Sequence, residues 1–401
     1  MTSRLPLDRI RKDTPGVDHV LHFNNAGAAL PPQIVLNTVV GHLEREAAIG
    51  GYEAAGEASD RLEAVYDSLA RLIGADPHQI AVVENATRAW DMAVYGYPFA
   101  EGDRVLIGRA EYASNVIALL QLQKRHGVEP VLIEDDGHGQ IDLLNLEAEL
   151  ARGAAMVALT HAPTNSGLIN PVEAVGALCK QYDVFYVLDA CQSAGQVPLD
   201  VGRIGCDVLS GTGRKYLRGP RGTGFLYAGP RALERIEPPF LDLHAADWTT
   251  DTTYEIRPGA RRFENWEANY AGRLGLGAAV DYALELGVEA ACERLCRLAD
   301  SLREALSGLE SVSVHDKGAI RGGIVTFTVD SMDSADVKAQ LSALRINTTM
   351  SPTGHARLDL GRRGLDSLVR ASVHYYNTDD EVARFVSAVG RLRHSDNWTA
   401  P

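Results

Sequence analysis

The chain has 401 residues, 45% of them hydrophobic and 23% charged, which suits a soluble globular protein long enough for two domains. A formal net charge of −14 argues against nucleic acid or an anionic membrane surface as a partner, so any anionic ligand needs a local positive site. Five irregularly spaced cysteines indicate reduced thiols rather than a disulfide framework, and with no signal-peptide or membrane-length apolar run the expected location is the cytoplasm.

In chain order, residues 21–32 predict a brief strand ending in a small-residue turn. Pro31 and Pro32 then open a helix, where a missing amide is harmless. The pair Gly50-Gly51 interrupts helical sequence at a cost in stability, either to present Tyr52 at a surface that matters or simply to turn the chain between helices. Leu62, Val65, Leu69 and Leu72 mark one face of the next helix. Residues 81–90 read as a strand, a polar turn and a helix start, and the free amides of such a helix start suit a phosphate. Short apolar runs at 103–107, 131–133, 155–159, 185–188 and 207–209 alternate with helical patterns. That alternation predicts an α/β fold, a mainly parallel sheet covered by helices on both faces. Ligands bind such sheets beyond the carboxyl ends of the strands. Polar sets follow those ends here: Glu111 to Asn115, His161 to Gly167, Asp189 to Gln192 and Thr212 to Lys215.

The composition changes after residue 230. The run Arg262-Phe-Glu-Asn-Trp-Glu leads into a helix of small residues from Leu274. Cys292 and Cys296 share a helix face, which reads as core packing rather than a metal site. Strands at 323–329 and 368–373, a helix over 334–344 and a last helix with a Thr378/Glu381 capping box predict a smaller α+β domain. The expected organisation is an N-terminal segment 1–20, a large domain 21–270, and a linking helix with the small domain over 271–401.

Two stretches carry the chemistry. Residues 205–227 form an apolar strand, a glycine- and hydroxyl-rich loop and a second strand, with Lys215 in the loop between Arg214 and Tyr216. The chain has only six lysines and otherwise uses arginine, which cannot lose its proton or form an imine. Upstream, Asp189 and Gln192 stand at the end of a buried-type strand. Alone, Lys215 also reads as a solvated loop residue and Asp189 as a turn or cap. Together they match pyridoxal 5′-phosphate, which is held as a Schiff base on a lysine with a carboxylate against its ring nitrogen.

The Asp-x-x-Gln and Gly-Arg-Lys signatures resemble the class V aminotransferase and cysteine desulfurase group of fold-type I pyridoxal phosphate enzymes, over roughly residues 20–392. The resemblance implies a large domain of the aspartate aminotransferase kind and a homodimer with shared sites. It implies that Ala86 and Thr87 supply backbone amides and a hydroxyl to the cofactor phosphate; the glycine-rich loop and Arg214 offer the local positive site an anionic cofactor needs, and Thr212 is a further cofactor-binding candidate. Thr164 or Asn165 would approach the phenolic oxygen together with Gln192. Strict alignment puts Ala113 where relatives stack a ring on the pyridine, with Tyr112 beside it. Arg370 corresponds to the arginine that takes the substrate carboxylate in two parallel hydrogen bonds. Asn24 or Asn25, Tyr52 and Trp266 are further substrate-side candidates, Trp266 standing in a loop that in relatives reaches the neighbouring subunit's cofactor.

Cysteine desulfurases carry a thiolate on a mobile loop, but the comparable segment, 345–361, has no cysteine. The runs Gly-Gly-Tyr-Glu-Ala-Ala, Ser-Gly-Thr-Gly-Arg-Lys and Arg-Phe-Glu-Asn-Trp-Glu are similar to class V carbon–sulfur lyases of the hercynylcysteine sulfoxide lyase kind. The expected reaction is therefore β-elimination from a cysteine-derived amino acid to pyruvate and ammonia. Lys215 would take the α-proton and His355 would protonate the leaving group; no metal is expected. The alternatives are a class V aminotransferase, an amino-acid epimerase resembling isopenicillin N epimerase, and a pyridoxal-fold binding protein without catalysis. The retained lysine argues against the last.

Overall fold

The computed structural model describes residues 5–392. Seven strands form the large sheet: β1 (Ile80–Val83), β2 (Arg104–Ile107), β3 (Glu129–Leu132), β4 (Met156–Thr160), β5 (Phe185–Asp189), β6 (Val208–Thr212) and β7 (Gly224–Ala228). Their spatial order is β1-β7-β6-β5-β4-β2-β3. β7 runs antiparallel to both neighbours, and the other pairs are parallel. Successive side chains of a strand point to opposite faces, and here both faces are apolar. Leu106, Val157, Tyr186, Leu188 and Leu209 enter one core, while Val105, Met156, Phe185, Val187 and Val208 enter the other. Helices must therefore cover both sides, as the apolar runs predict.

The second sheet is antiparallel, with β8 (Val312–Val314), β9 (Ile324–Val329), β10 (Thr349–Pro352) and β11 (Ser367–Ser372) in the order β8-β9-β11-β10. Leu295, Leu298, Leu302, Val337, Leu341 and Phe385 from three helices pack with it. The helix Asp379–Val389 starts at the predicted box: Glu381 N donates to Thr378 Oγ1 at 3.1 Å, and Thr378 N donates to Glu381 Oε2 at 3.2 Å.

Packing contacts run across the positions 21 and 270 expected as domain boundaries. Leu21–His22 pairs in parallel with Ile346–Asn347 as a separate two-stranded sheet, and the Phe23 ring stacks on Phe385 at 4.5 Å, so the chain's first strand packs into the C-terminal core. The helix Tyr270–Leu286 packs on the helices Gln33–Ile49 and Ser59–Ile73 of the large domain. Its small residues let the backbones approach: a Cβ on Gly275 would lie 2.5 Å from Val39 Cγ2, and one on Gly277 would lie 2.8 Å from Val65 Cγ2.

Candidate active site

β4, β5 and β6 end side by side, and a cavity of about 270 Å³ lies beyond them, lined among others by Ala86, Thr87, Asp189, Gln192, Arg214 and Lys215. The helix Ala86–Gly96 begins at its rim. Asn85 caps it by accepting from Arg88 N at 2.9 Å, leaving the first amides and the positive dipole end to the cavity.

Lys215 sits in the loop 213–223 between β6 and β7, far longer than an antiparallel connection requires. The loop is pinned rather than loose. Gly219 N donates to Gly213 O at 2.7 Å and Arg218 N to Lys215 O at 2.9 Å. Arg218 adopts φ 63°, a left-handed conformation that costs of order 1–3 kcal/mol without glycine. Its buried guanidinium offsets that cost by donating to Leu30 O (2.8 Å), Tyr375 Oη (3.0 Å) and Thr14 Oγ1 (2.6 Å). Beneath the loop, Gly195 has φ 81°, and a Cβ there would lie 2.8 Å from the Tyr216 backbone. Burial above all, with Arg214 and Arg370 nearby, holds the Lys215 amine below its usual pKa, while Cys191 and Asp189 oppose that shift.

Asp189 closes β5. Its Oδ1 accepts from Cys191 N at 2.8 Å and its Oδ2 from Asn115 Nδ2 at 3.0 Å, so two donors stabilise the anion. Gln192 Nε2 donates to Ala26 O at 3.0 Å and Thr164 Oγ1 at 2.8 Å. Arg370, on β11, reaches the same threonine: its Nη1 donates to Thr164 Oγ1 at 2.5 Å and its Nη2 to Asn24 Oδ1 at 3.3 Å. Among the described residues no carboxylate forms an ion pair with Arg214, Arg221 or Arg370. Burial first, then Arg214, lowers Arg370 to about 10.

Ala86, Thr87, Tyr112, Thr164, Asp189, Gln192, Thr212, Arg214 and Lys215 all line one cavity, with Arg370 hydrogen-bonded at its edge. Arg214 also donates to Gly27 O, and Thr212 Oγ1 donates to Thr223 O at 3.3 Å. Asn165 is buried outside the lining. Asn25 is used up inside the fold: its Nδ2 donates to Ser372 O at 2.7 Å, and its Oδ1 accepts from Tyr376 Oη. The asparagine that meets Arg370 is Asn24. Tyr52 is 77% exposed, Trp266 47% exposed and His355 exposed in a turn, and none of the three lines the cavity of its own chain. Sequence reasoning passed over Glu111, Asn115 and Arg221 as site residues. Glu111 and Asn115, four residues apart just past β2, were the available sign.

These donors suit pyridoxal phosphate. A depressed amine, a doubly donated carboxylate and an open helix N-terminus meet in one cavity. Gln192 Oε1 and Arg370 Nε are buried there without a partner among the described residues, which a bound group would supply. The profile of the family described as Aminotransferase class-V matches residues 20–385. The chain belongs to the class-V aminotransferase family. Pyridoxal 5′-phosphate is this class-V enzyme's cofactor. A probable cysteine desulfurase of Pyrococcus abyssi is 28% identical, over 97% of this chain and 98% of its own. The apo structure of cysteine desulfurase from Thermococcus onnurineus NA1 superposes with TM-score 0.89 at 27% identity, covering 97% of this chain and 98% of that one. The complex of the cystine C-S lyase C-DES with cysteine persulfide superposes with TM-score 0.86 at 23% identity, covering 94% and 99%; it shares the fold. No helix among the described residues is long and apolar enough to cross a membrane.

Proposed function

We propose that this class-V enzyme is a lyase that cleaves the carbon–sulfur bond of a cysteine-derived amino acid by β-elimination, without a persulfide-carrying cysteine. The observation that carries the reading is where the thiols lie. The segment 345–361 holds no cysteine and folds as β10, a turn and a short helix. Cys179 and Cys206 are buried, and Cys292 and Cys296 stand on the helix Val288–Ser307. Cys191 does line the cavity, but it is fixed two residues past the strand-end Asp189, to which its N–H donates at 2.8 Å, and is engaged by the Lys215 amine; burial pushes its thiol up and Lys215 opposes. A thiol held there cannot swing out to deliver sulfur.

Asp189 would hold the cofactor's ring nitrogen, Lys215 its aldehyde carbon, and Ala86, Thr87, Thr212 and Arg214 its phosphate, with Gln192 and Thr164 at the phenolic oxygen. Bound there, pyridoxal phosphate supplies the electron sink that makes a bond at the substrate α-carbon breakable. Arg370 orients the substrate by its carboxylate, with Asn24 steadying the guanidinium. Lys215 Nζ, whose pKa is lowered by burial and by the nearby Arg214 and Arg370, takes the α-proton. The curated relatives named desulfurases and the fold shared with a C-S lyase support cysteine chemistry. Tyr52 and Trp266 are assigned to contact with a second copy of the chain, in a homodimer. Incubation of the holoenzyme with a panel of S-substituted cysteines tests the reading: pyruvate, ammonia and a free thiol are expected. Alanine together with a protein-bound persulfide, or no pyruvate from any substrate, contradicts it.

A further inference from the structure

A second carboxyl stands behind Asp189, and the chemistry above leaves it unused. Glu111 follows β2 and is buried. Its Oε1 accepts from Thr160 N at 2.8 Å, and its Oε2 lies 2.6 Å from Thr160 Oγ1. Thr160 ends β4 directly opposite Asp189, which ends β5. Asn115, in the first turn of the helix Ala113–His126, donates Nδ2 to Asp189 Oδ2 at 3.0 Å, and the same amide, one helical turn past Glu111, favours the ionised form of that carboxyl. One amide and one threonine thus tie two acids together.

Two carboxyls this close in a water-poor site do not both ionise cheaply. The donors decide which one carries the charge. Asp189 has a backbone N–H besides the shared amide and lines the open cavity. Glu111 is sealed in: burial pushes it up to about 8, the Thr160 hydrogen bonds oppose, and the charge of Asp189 adds to the rise. The phenol of Tyr186, on β5 like Asp189, also feels its charge. Among the described residues no lysine, arginine or histidine forms an ion pair with Glu111.

We propose that Glu111 is a positioning residue that fixes Asp189 through Asn115 and Thr160 and, by its own ionisation, sets how firmly the cofactor's ring nitrogen holds a proton. While Glu111 is neutral, Asp189 supplies the single negative charge at that nitrogen. Once Glu111 ionises, a second buried charge behind Asp189 strengthens the hold. The inference rests on the cofactor reading above, but not on which bond of the substrate breaks.

The test is a pH titration, from pH 6 to 10, of the ring-nitrogen chemical shift in holoenzyme reconstituted with 15N-labelled pyridoxal phosphate. Wild type, Glu111→Gln and Asn115→Ala are compared. Glutamine keeps the shape of the neutral acid and cannot ionise. Wild type is expected to show a step centred near pH 8, by the carboxyl's own titration, and Glu111→Gln to lack it. Asn115→Ala keeps Glu111 but cuts the link, so its step shrinks or disappears. This gives the same comparison should Glu111→Gln fold poorly. Superimposable curves for wild type and Glu111→Gln, or a full step in Asn115→Ala, overturn the proposal. A wild-type protein that takes up no cofactor overturns the cofactor reading itself, and this proposal with it.

Discussion

The two sides of the cavity were built differently. On the cofactor side, Asp189, Thr160 and Thr212 are strand-terminal residues, and Ala86 and Thr87 open a helix, so backbone topology alone delivers them to one place. The residues expected on the substrate side, Tyr52, Trp266 and His355, lie instead on exposed turns and short helices away from the cavity, and nothing in the described chain gathers them. Positions fixed by sheet register are shared along the fold, whereas a pocket completed by surface loops is a property of the assembly. Residues the fold itself gathers, Arg370 included, should therefore break function sharply when changed singly, and Tyr52, Trp266 and His355 of a lone chain should yield little.

The largest effect is expected at Lys215. Lys215→Ala should lower turnover by roughly 10²–10⁴-fold, the usual worth of a positioned acid–base group, or more where the covalent role is lost too. It should also abolish the visible absorbance of the bound cofactor. Arg370→Ala comes next. Removing charge-assisted hydrogen bonds to a carboxylate should cost about 1.5–3 kcal/mol, roughly ten- to hundredfold in kcat/KM, with Arg370→Lys recovering only part because an ammonium lacks the planar fork. Steady-state kinetics on both variants checks this. An Arg370→Ala enzyme with unchanged KM and kcat would remove the carboxylate role from β11.

A smaller effect sharpens the contrast from the stability side. Glu111 holds its proton to about pH 8 when folded, against an ordinary carboxylate value of 4.5. Its folded value is raised, so its contribution is fully present below about pH 4.5 and is lost as pH rises through 8. The cofactor-free protein should lose stability over that window, by an amount on the order of 1 kcal/mol per pH unit at most. Glu111→Gln should flatten the dependence of denaturant midpoint on pH. Smallest of all, His355→Ala should change kcat by less than about threefold, because an exposed histidine outside the cavity has no fixed path to the leaving group. A hundredfold loss there would restore it as the acid.

How much could be read beforehand follows the same division. Lys215 and Asp189 were legible because the cofactor demands an amine and a carboxylate, and strand ends put them together. The Thr378/Glu381 box was legible because its partners lie three residues apart and bond locally. Asn24 and Asn25 could not be told apart, since adjacent residues of an extended stretch point opposite ways and only the packing of Ser372 and Tyr376 decides which turns inward. Glu111 and Asn115 were visible as polar residues but not as a linked pair, because the link runs through Thr160 and Asp189, far away in sequence. The contacts that cross residues 21 and 270 were hidden for a related reason: Phe23 finds its partner at Phe385, and no local pattern records that.

Borohydride reduction of the holoenzyme, followed by proteolysis and peptide mass mapping, tests the central claim most directly. Reduction traps the cofactor on whichever amine holds it. The account predicts a pyridoxyl-phosphate mass on the peptide containing Lys215 and on none carrying the other five lysines. A label on another lysine, or an unlabelled protein that still turns over substrate, would contradict it.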